Sequence, residues 1–267
     1  MLVAGGLIMG VLAVLASHAT GPAAVCEWIV FGITGVVTLA VLAFFRDPDR
    51  IVPQEDGIMV SPADGTVTEI TVLQEYPPLV EALARKVAGT LRVPSTPSQK
   101  NATPDSASHG TRSVPATLGR IETAQGGGDK PGEIVRLGIF LSVFSVHLNR
   151  APCAGVILET LFTPGRFWDA RHPRSGIENQ SNALLLGNPD TRAPVALVKQ
   201  IVGAIARRII TPVRAGQTLA RGQRFGMIAF GSRTELYLRA DEWEFTVRVG
   251  EKLKAGRDVV ARRKKGA

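Results

Sequence analysis

Cysteine is nearly absent. The 267 residues hold two, Cys26 and Cys153. Two thiols so far apart make neither a disulfide framework nor a cysteine zinc site, and a reducing compartment is the simpler reading. Aromatic residues make up only 6% of the chain, which argues against a nucleic-acid binder even though the net charge is +8. The charge instead suits an anionic membrane surface. No GxGxxG, no P-loop and no βαβ alternation occurs, so the usual nucleotide-binding signatures are missing. Histidine is scarce too, with His18, His109, His147 and His172 the only four.

The first 45 residues contain no lysine or arginine at all. Within them LVAGGLIMGVLAVLA, residues 2–16, is apolar, and after the polar break SHATGPA a second apolar run extends from Val25 to Phe45 with Glu27 as its one charge. From Trp28 onward that run is 18 uncharged residues, close to the ~20 that cross a bilayer. The first run is short by that standard and lacks the basic flank of a signal peptide. The expectation is a membrane anchor over residues 1–45, a transmembrane hairpin of two helices. Arg46 and Arg50 follow the second run directly, which places the rest of the chain, residues 46–267, on the cytoplasmic side of the cell membrane.

The remainder reads as mainly β (α+β). DGIMVSPADGTVTEITVL, residues 56–73, has strand alternation on either side of Ala-Asp-Gly turn chemistry. Leu79 to Leu91 has the pattern of a short helix, and residues 92–128 are so rich in Pro, Ser, Thr and Gly that a disordered insert is expected. Residues 133–152, 154–163 and 183–213 carry further apolar strands. Short alternating strands fill Phe225 to Val260, with Phe245, Val247 and Val249 on one predicted face.

One stretch stands out: RFGMIAFGSRTELYL, residues 224–238. Two apolar strands flank a bare Gly231-Ser232. A tight turn is one reading and a reactive peptide bond the other. His147 lies within the apolar VFSVHLNRAP, where its ring needs a partner, and Asp64 lies in SPADG. Taken singly, each has an ordinary structural explanation.

Taken together they form a pattern. FFRDPDR, SPADG, SVFSVHLNRAP, PGRFWDA, IENQSNALLL and RFGMIAFGSR occur in that order. This set resembles phosphatidylserine decarboxylase in its short, membrane-anchored prokaryotic form, from Phe44 to about Val260. Only the insert exceeds what that pattern needs. The resemblance implies that Ser232 attacks the carbonyl of Gly231 and that the resulting ester eliminates. The chain would then part into a β chain (residues 1–231) and an associated α chain (232–267) that begins with a covalent pyruvoyl group. A glycine before the nucleophile leaves the carbonyl open. Serine needs a base, and the resemblance gives His147 that role, with Asp64 orienting it and stabilising its imidazolium. It further implies that phosphatidylserine condenses with the pyruvoyl ketone as a Schiff base, loses CO2, and leaves as phosphatidylethanolamine after His147 returns a proton. No metal is implied. A homodimer of processed protomers is the expected assembly.

Other readings compete. Ser232, His147 and Asp64 could serve a membrane-anchored hydrolase without self-cleavage, although GxSxG is absent. A non-enzymatic membrane scaffold and a decarboxylase of another phospholipid or amine are the remaining alternatives. Arg207 and Arg208 are candidates for headgroup phosphate or simply an exposed strand end. Phe162, Phe167 and Trp168 are candidates for a lipid-facing surface or for core. Glu178, Asn179 and Asn182 match the pattern without an evident role, and Lys199 interrupts a strand where a neutral residue is expected.

Overall fold

The structure is a computed structural model that describes residues 22–73, 133–205, 207–229 and 231–265. The first apolar run, the predicted helix at Leu79–Leu91, the 92–128 insert and Phe230 lie outside the described residues. In chain order the elements are α1 (Pro22–Phe44), β1 (Ile58–Val60), β2 (Gly65–Leu73), β3 (Ile134–Leu141), β4 (Leu148–Arg150), β5 (Gly155–Thr163), the one-turn α2 (Ser175–Glu178), β6 (Ser181–Gly187), β7 (Pro194–Ile201), β8 (Ile209–Ile210), β9 (Thr218–Leu219), β10 (Arg224–Ile228), β11 (Ser232–Arg239), β12 (Trp243–Phe245), β13 (Lys252–Leu253) and β14 (Val259–Arg263).

The fold is mainly β, as expected. One sheet has eight strands in the order β13-β2-β3-β11-β7-β6-β5-β9, and two three-stranded sheets run β1-β14-β12 and β4-β10-β8. Every pairing between named strands is antiparallel. The period of two divides the large sheet's side chains between two faces. One face builds the main core with Leu137, Ile139, Leu184, Leu186, Val198 and Leu236, joined by Phe225 and Trp243 from outside the sheet. The other carries a smaller cluster of Ile134, Ala183, Leu185, Leu197 and Tyr237.

Two details depart from the sequence reading. The strand expected through EFTVRV stops at Phe245, and Val249 is exposed while Val247 is buried. The Thr246 N–H bonds to the Val260 carbonyl, and the alternation is not carried further. More consequentially, β10 and β11 do not form a hairpin. β10 pairs with β4 and β8, whereas β11 pairs with β3 and β7. Gly231 is therefore a crossing point between two sheets.

At the N-terminus, α1 leaves Trp28, Ile29, Ile33, Val36 and Leu39 exposed. No helix among the described residues is long and apolar enough to cross a membrane. The FRDPDR segment that follows fastens α1 to the β domain. Arg46 donates to the Phe144 carbonyl at 2.6 Å, Asp47 binds Arg150 and Arg224 at 3.1 and 2.8 Å, and Arg50 binds Asp64 at 3.0 Å.

Candidate active site

Ser232 opens β11, a central strand paired on both sides. Its side chain shares a face with Thr234, Leu236 and Leu238 toward the main core, while Arg233, Glu235 and Tyr237 point the other way. Ser232 is fully buried, and its Oγ has no hydrogen-bond partner. A buried hydroxyl without a partner costs free energy, and this one directly follows Gly231.

The residue before it is held in an unusual conformation. Gly231 has φ +57°, the left-handed region that glycine enters without penalty. Its carbonyl lies against Gly203, just past the end of β7. A β-carbon on Gly203 would sit 1.9 Å from the Gly231 oxygen and 3.0 Å from its carbonyl carbon. Gly203 thus forms a slot that only a residue without a side chain can offer.

His147 reaches the other side of Gly231, its N–H, from β4's leading edge. The Gly231 N–H donates to His147 Nε2 at 3.3 Å. Nε2 is therefore the acceptor and Nδ1 carries the proton, which it donates to the Ser145 carbonyl at 2.8 Å. Phe44, at the end of α1, covers the imidazole with its ring centroid 4.2 Å away. Burial pulls the His147 pKa down to about 4, assisted by the Arg46 charge and opposed by the Ser145 hydrogen bond and the charge of Asp64. At neutral pH the ring is an uncharged base whose Nε2 lone pair accepts from the Gly231 N–H, one residue before Ser232.

Asp64 is also buried, but no hydrogen bond joins it to His147. Its carboxylate accepts from the Ala255 N–H at 2.8 Å and pairs with Arg50 at 3.0 Å and Lys254 at 3.5 Å. Orientation of the imidazole, expected from Asp64, is supplied here by Ser145, and Asp64 acts on the ring through its charge.

Beside Gly231 a cavity of about 260 Å³ is lined by Phe140, Val143, Asp169, Arg171 and Ile205. Arg171 pairs with Asp169 at 2.8 Å and lies 5.7 Å from the Phe140 ring centre. Phe144 and Ile205 are strongly exposed next to it.

The site thus brings together a buried serine hydroxyl without a partner, the glycine before it, and a neutral imidazole that accepts from that glycine's own N–H. The family model for phosphatidylserine decarboxylase matches residues 37–261. The chain belongs to the phosphatidylserine decarboxylase family. The family consists of pyruvoyl-dependent decarboxylases of phospholipid synthesis, made as self-cleaving proenzymes. Among its relatives, the phosphatidylserine decarboxylase proenzyme of Novosphingobium aromaticivorans is 37% identical over 84% of this chain and 73% of its own length. That of Erythrobacter litoralis is 36% identical over 85% of this chain and 74% of its own. That of Pelobacter propionicus is 33% identical over 96% and 92%.

The structure also gives work to residues that sequence reasoning left without a role. Asn179 is buried; it donates to the Trp168 and Val202 carbonyls and accepts from the Trp168 N–H, each at 2.8 Å. It thereby locks the RFWDA segment against the residue preceding Gly203. Glu178 accepts from Trp168 Nε1 at 2.9 Å. Phe162 and Phe167 are exposed rather than core, and Arg207 stacks over Phe167 at 5.3 Å. Lys199 donates to the Gly176 carbonyl at 2.6 Å on the face where Glu235 is buried, so the sheet tolerates it as a clasp on α2.

Proposed function

We propose that this chain cuts itself between Gly231 and Ser232 and then decarboxylates phosphatidylserine to phosphatidylethanolamine, with His147 as the proton-transfer residue. The observation that carries this is the buried, unpartnered Ser232 Oγ immediately after a glycine whose amide rests on His147 Nε2. In the first step Ser232 Oγ adds to the Gly231 carbonyl carbon and the peptide nitrogen departs, leaving an ester. Removal of the Ser232 α-proton then expels the Gly231 carboxylate. Water converts the dehydroalanine that remains into pyruvoyl and releases ammonia. His147 Nε2, neutral and lacking its own proton, is the base we assign to these steps, since it already sits on the N–H of the residue before Ser232. The group supplies a ketone conjugated to an amide carbonyl, an electron sink for the carbanion formed when CO2 departs.

The cavity at Gly231 is where we place the substrate headgroup. Its walls are largely apolar, and a poorly solvated carboxylate is closer to losing CO2 than a hydrated one. Arg171 is the cation available to the headgroup's phosphate. The exposed Val143, Phe144 and Ile205 lie beside that opening, on the side from which acyl chains arrive. Membrane attachment through residues 1–45, with the β domain on the cytoplasmic side, belongs to the same proposal. It is supported by the exposed apolar side chains of α1 and by the absence of lysine and arginine before Arg46. A homodimer is expected on the resemblance alone.

The deciding experiment is the intact mass of the purified protein beside its Ser232→Ala variant. The native chain should give two fragments, the smaller of 267 − 231 = 36 residues with a blocked N-terminus. The variant should stay whole and release no CO2 from phosphatidylserine. Decarboxylation by the uncut variant would overturn the proposal.

A further inference from the structure

The catalytic segments lie far apart in sequence, and the core contains one side chain that touches all three of their strands or turns. Asn149, on β4, is fully buried. Its Nδ2 donates to Thr234 Oγ1 at 3.0 Å and to the Pro62 carbonyl at 3.3 Å. Its Oδ1 accepts from Gln200 Nε2 at 2.8 Å. The register of these contacts is the informative part. Asn149 is two residues after His147, Thr234 two residues after Ser232, and Pro62 two residues before Asp64.

The amide orientation is fixed by its surroundings. The Pro62 carbonyl can only accept, so Nδ2 must face it and Oδ1 must face Gln200. Gln200 is fixed in turn, because its Oε1 accepts from Thr211 Oγ1 at 2.7 Å and from Asn182 Nδ2 at 3.3 Å. Gln200 pairs across the sheet with Thr234 on one side and Asn182 on the other. A polar row thus crosses β11, β7 and β6 within a largely apolar face, and Asn149 is bonded to two of its members, Thr234 and Gln200. A row of this kind is worth more as a device for fixing geometry than as a source of stability, because apolar side chains would fill the same space.

We propose that Asn149 is a positioning residue for the self-cleavage chemistry, setting the distance of the His147 imidazole and the Asp64 turn from the Gly231–Ser232 peptide. The inference rests on the functional reading above. It contacts no reacting atom, so its effect is on rate. Misplacement on the scale of 1 Å costs up to ~10²-fold in rate. Asn149→Leu, which matches the side chain's size without its hydrogen bonds, should lengthen the self-cleavage half-time at least about tenfold. Asn149→Asp loses donation to Pro62 but retains contacts to Gln200 and Thr234, and should fall between.

The test follows the two fragments by intact mass after refolding the full chain, at a temperature well below every variant's Tm. Leu186→Ala, a cavity in the same core, is the comparison for mere loss of stability and should cleave within about twofold of wild type. Thr234→Val removes one arm of the hub and should also slow cleavage, which keeps the test decisive if Asn149→Leu does not fold. Wild-type rates in Asn149→Leu or, failing its folding, in Thr234→Val would overturn the proposal. So would equal slowing in Leu186→Ala. A wild-type chain that never divides would overturn the functional reading, and this one with it.

Discussion

Replacing Phe44 with alanine should move the pH dependence of self-cleavage. Phe44 is buried and its ring covers His147, and burial is the main cause of the fall of the imidazole pKa from 6.5 to about 4. At 1.36 kcal/mol per pH unit that displacement is ~3 kcal/mol against the imidazolium. The sign follows from linkage. A base that resists protonation when folded contributes its full stability above its unfolded pKa of 6.5 and loses it as pH falls toward 4. At pH 5.5 the native ring is therefore about 97% neutral, and the acid limb of cleavage should lie near 4. If solvent admitted by Phe44→Ala returned the pKa fully to 6.5, about 9% would remain neutral, a loss of roughly tenfold in rate. Half the return would give a loss of about 1.5-fold. At pH 8 the ring is neutral in both proteins, so rates normalised there isolate the effect from the ~3–5 kcal/mol that truncating a buried Phe costs in stability. The assay is fragment formation by mass against pH, from 4.5 to 8. Superimposable normalised profiles for the two proteins would refute the role of Phe44 as a desolvating lid, and an acid limb near 6.5 in wild type would refute the neutral-base reading of His147.

Gly203→Ala should slow self-cleavage by ~10²-fold, because the added methyl must displace the Gly231 carbonyl by on the order of 1 Å. Decarboxylation per pyruvoyl formed should change less, since that carbonyl's peptide bond is then broken; unchanged maturation kinetics would sink the slot argument. Lys199→Met should remove the charged bond to Gly176 and cost about 2 kcal/mol, seen as a fall of ~5 °C in Tm, with self-cleavage otherwise intact. An unchanged Tm would show that α2 does not need the clasp.

What could be read in the sequence was the local part. The strand expected over residues 154–163 is β5, and the alternation in 56–73 resolves into β1 and β2 around the SPADG turn. Periodicity reports which face a residue occupies. It carries no information about partners. Residues 224–238 looked like a hairpin because two apolar strands flank a glycine. Their assignment to different sheets depends on β3, β4, β7 and β8, all distant in sequence. The same limit hid the partners of Asp64, which come from Arg50 on one side and from Lys254 and Ala255 on the other. Asn149 gave no signal because an asparagine beside a histidine has no periodicity to betray it. Lys199 looked anomalous for the converse reason: the carbonyl that satisfies it belongs to a helix turn 23 positions away.

The placement of the junction between two sheets bears on what happens once the bond is gone. Each newly made end stays gripped by a different set of neighbours, so the two termini are free to separate locally while the body holds. Cut as proposed, the chain would yield a 36-residue product (267 − 231) that contributes β11 to the middle of the large sheet, β13 to its edge, and β12 and β14 to a second sheet. It is woven in at four places and cannot dissociate without dismantling both. Maturation by the proposed cut would thus be a local rearrangement inside a finished building: the two pieces should travel together through any native purification, part only in denaturant, and never exchange between molecules.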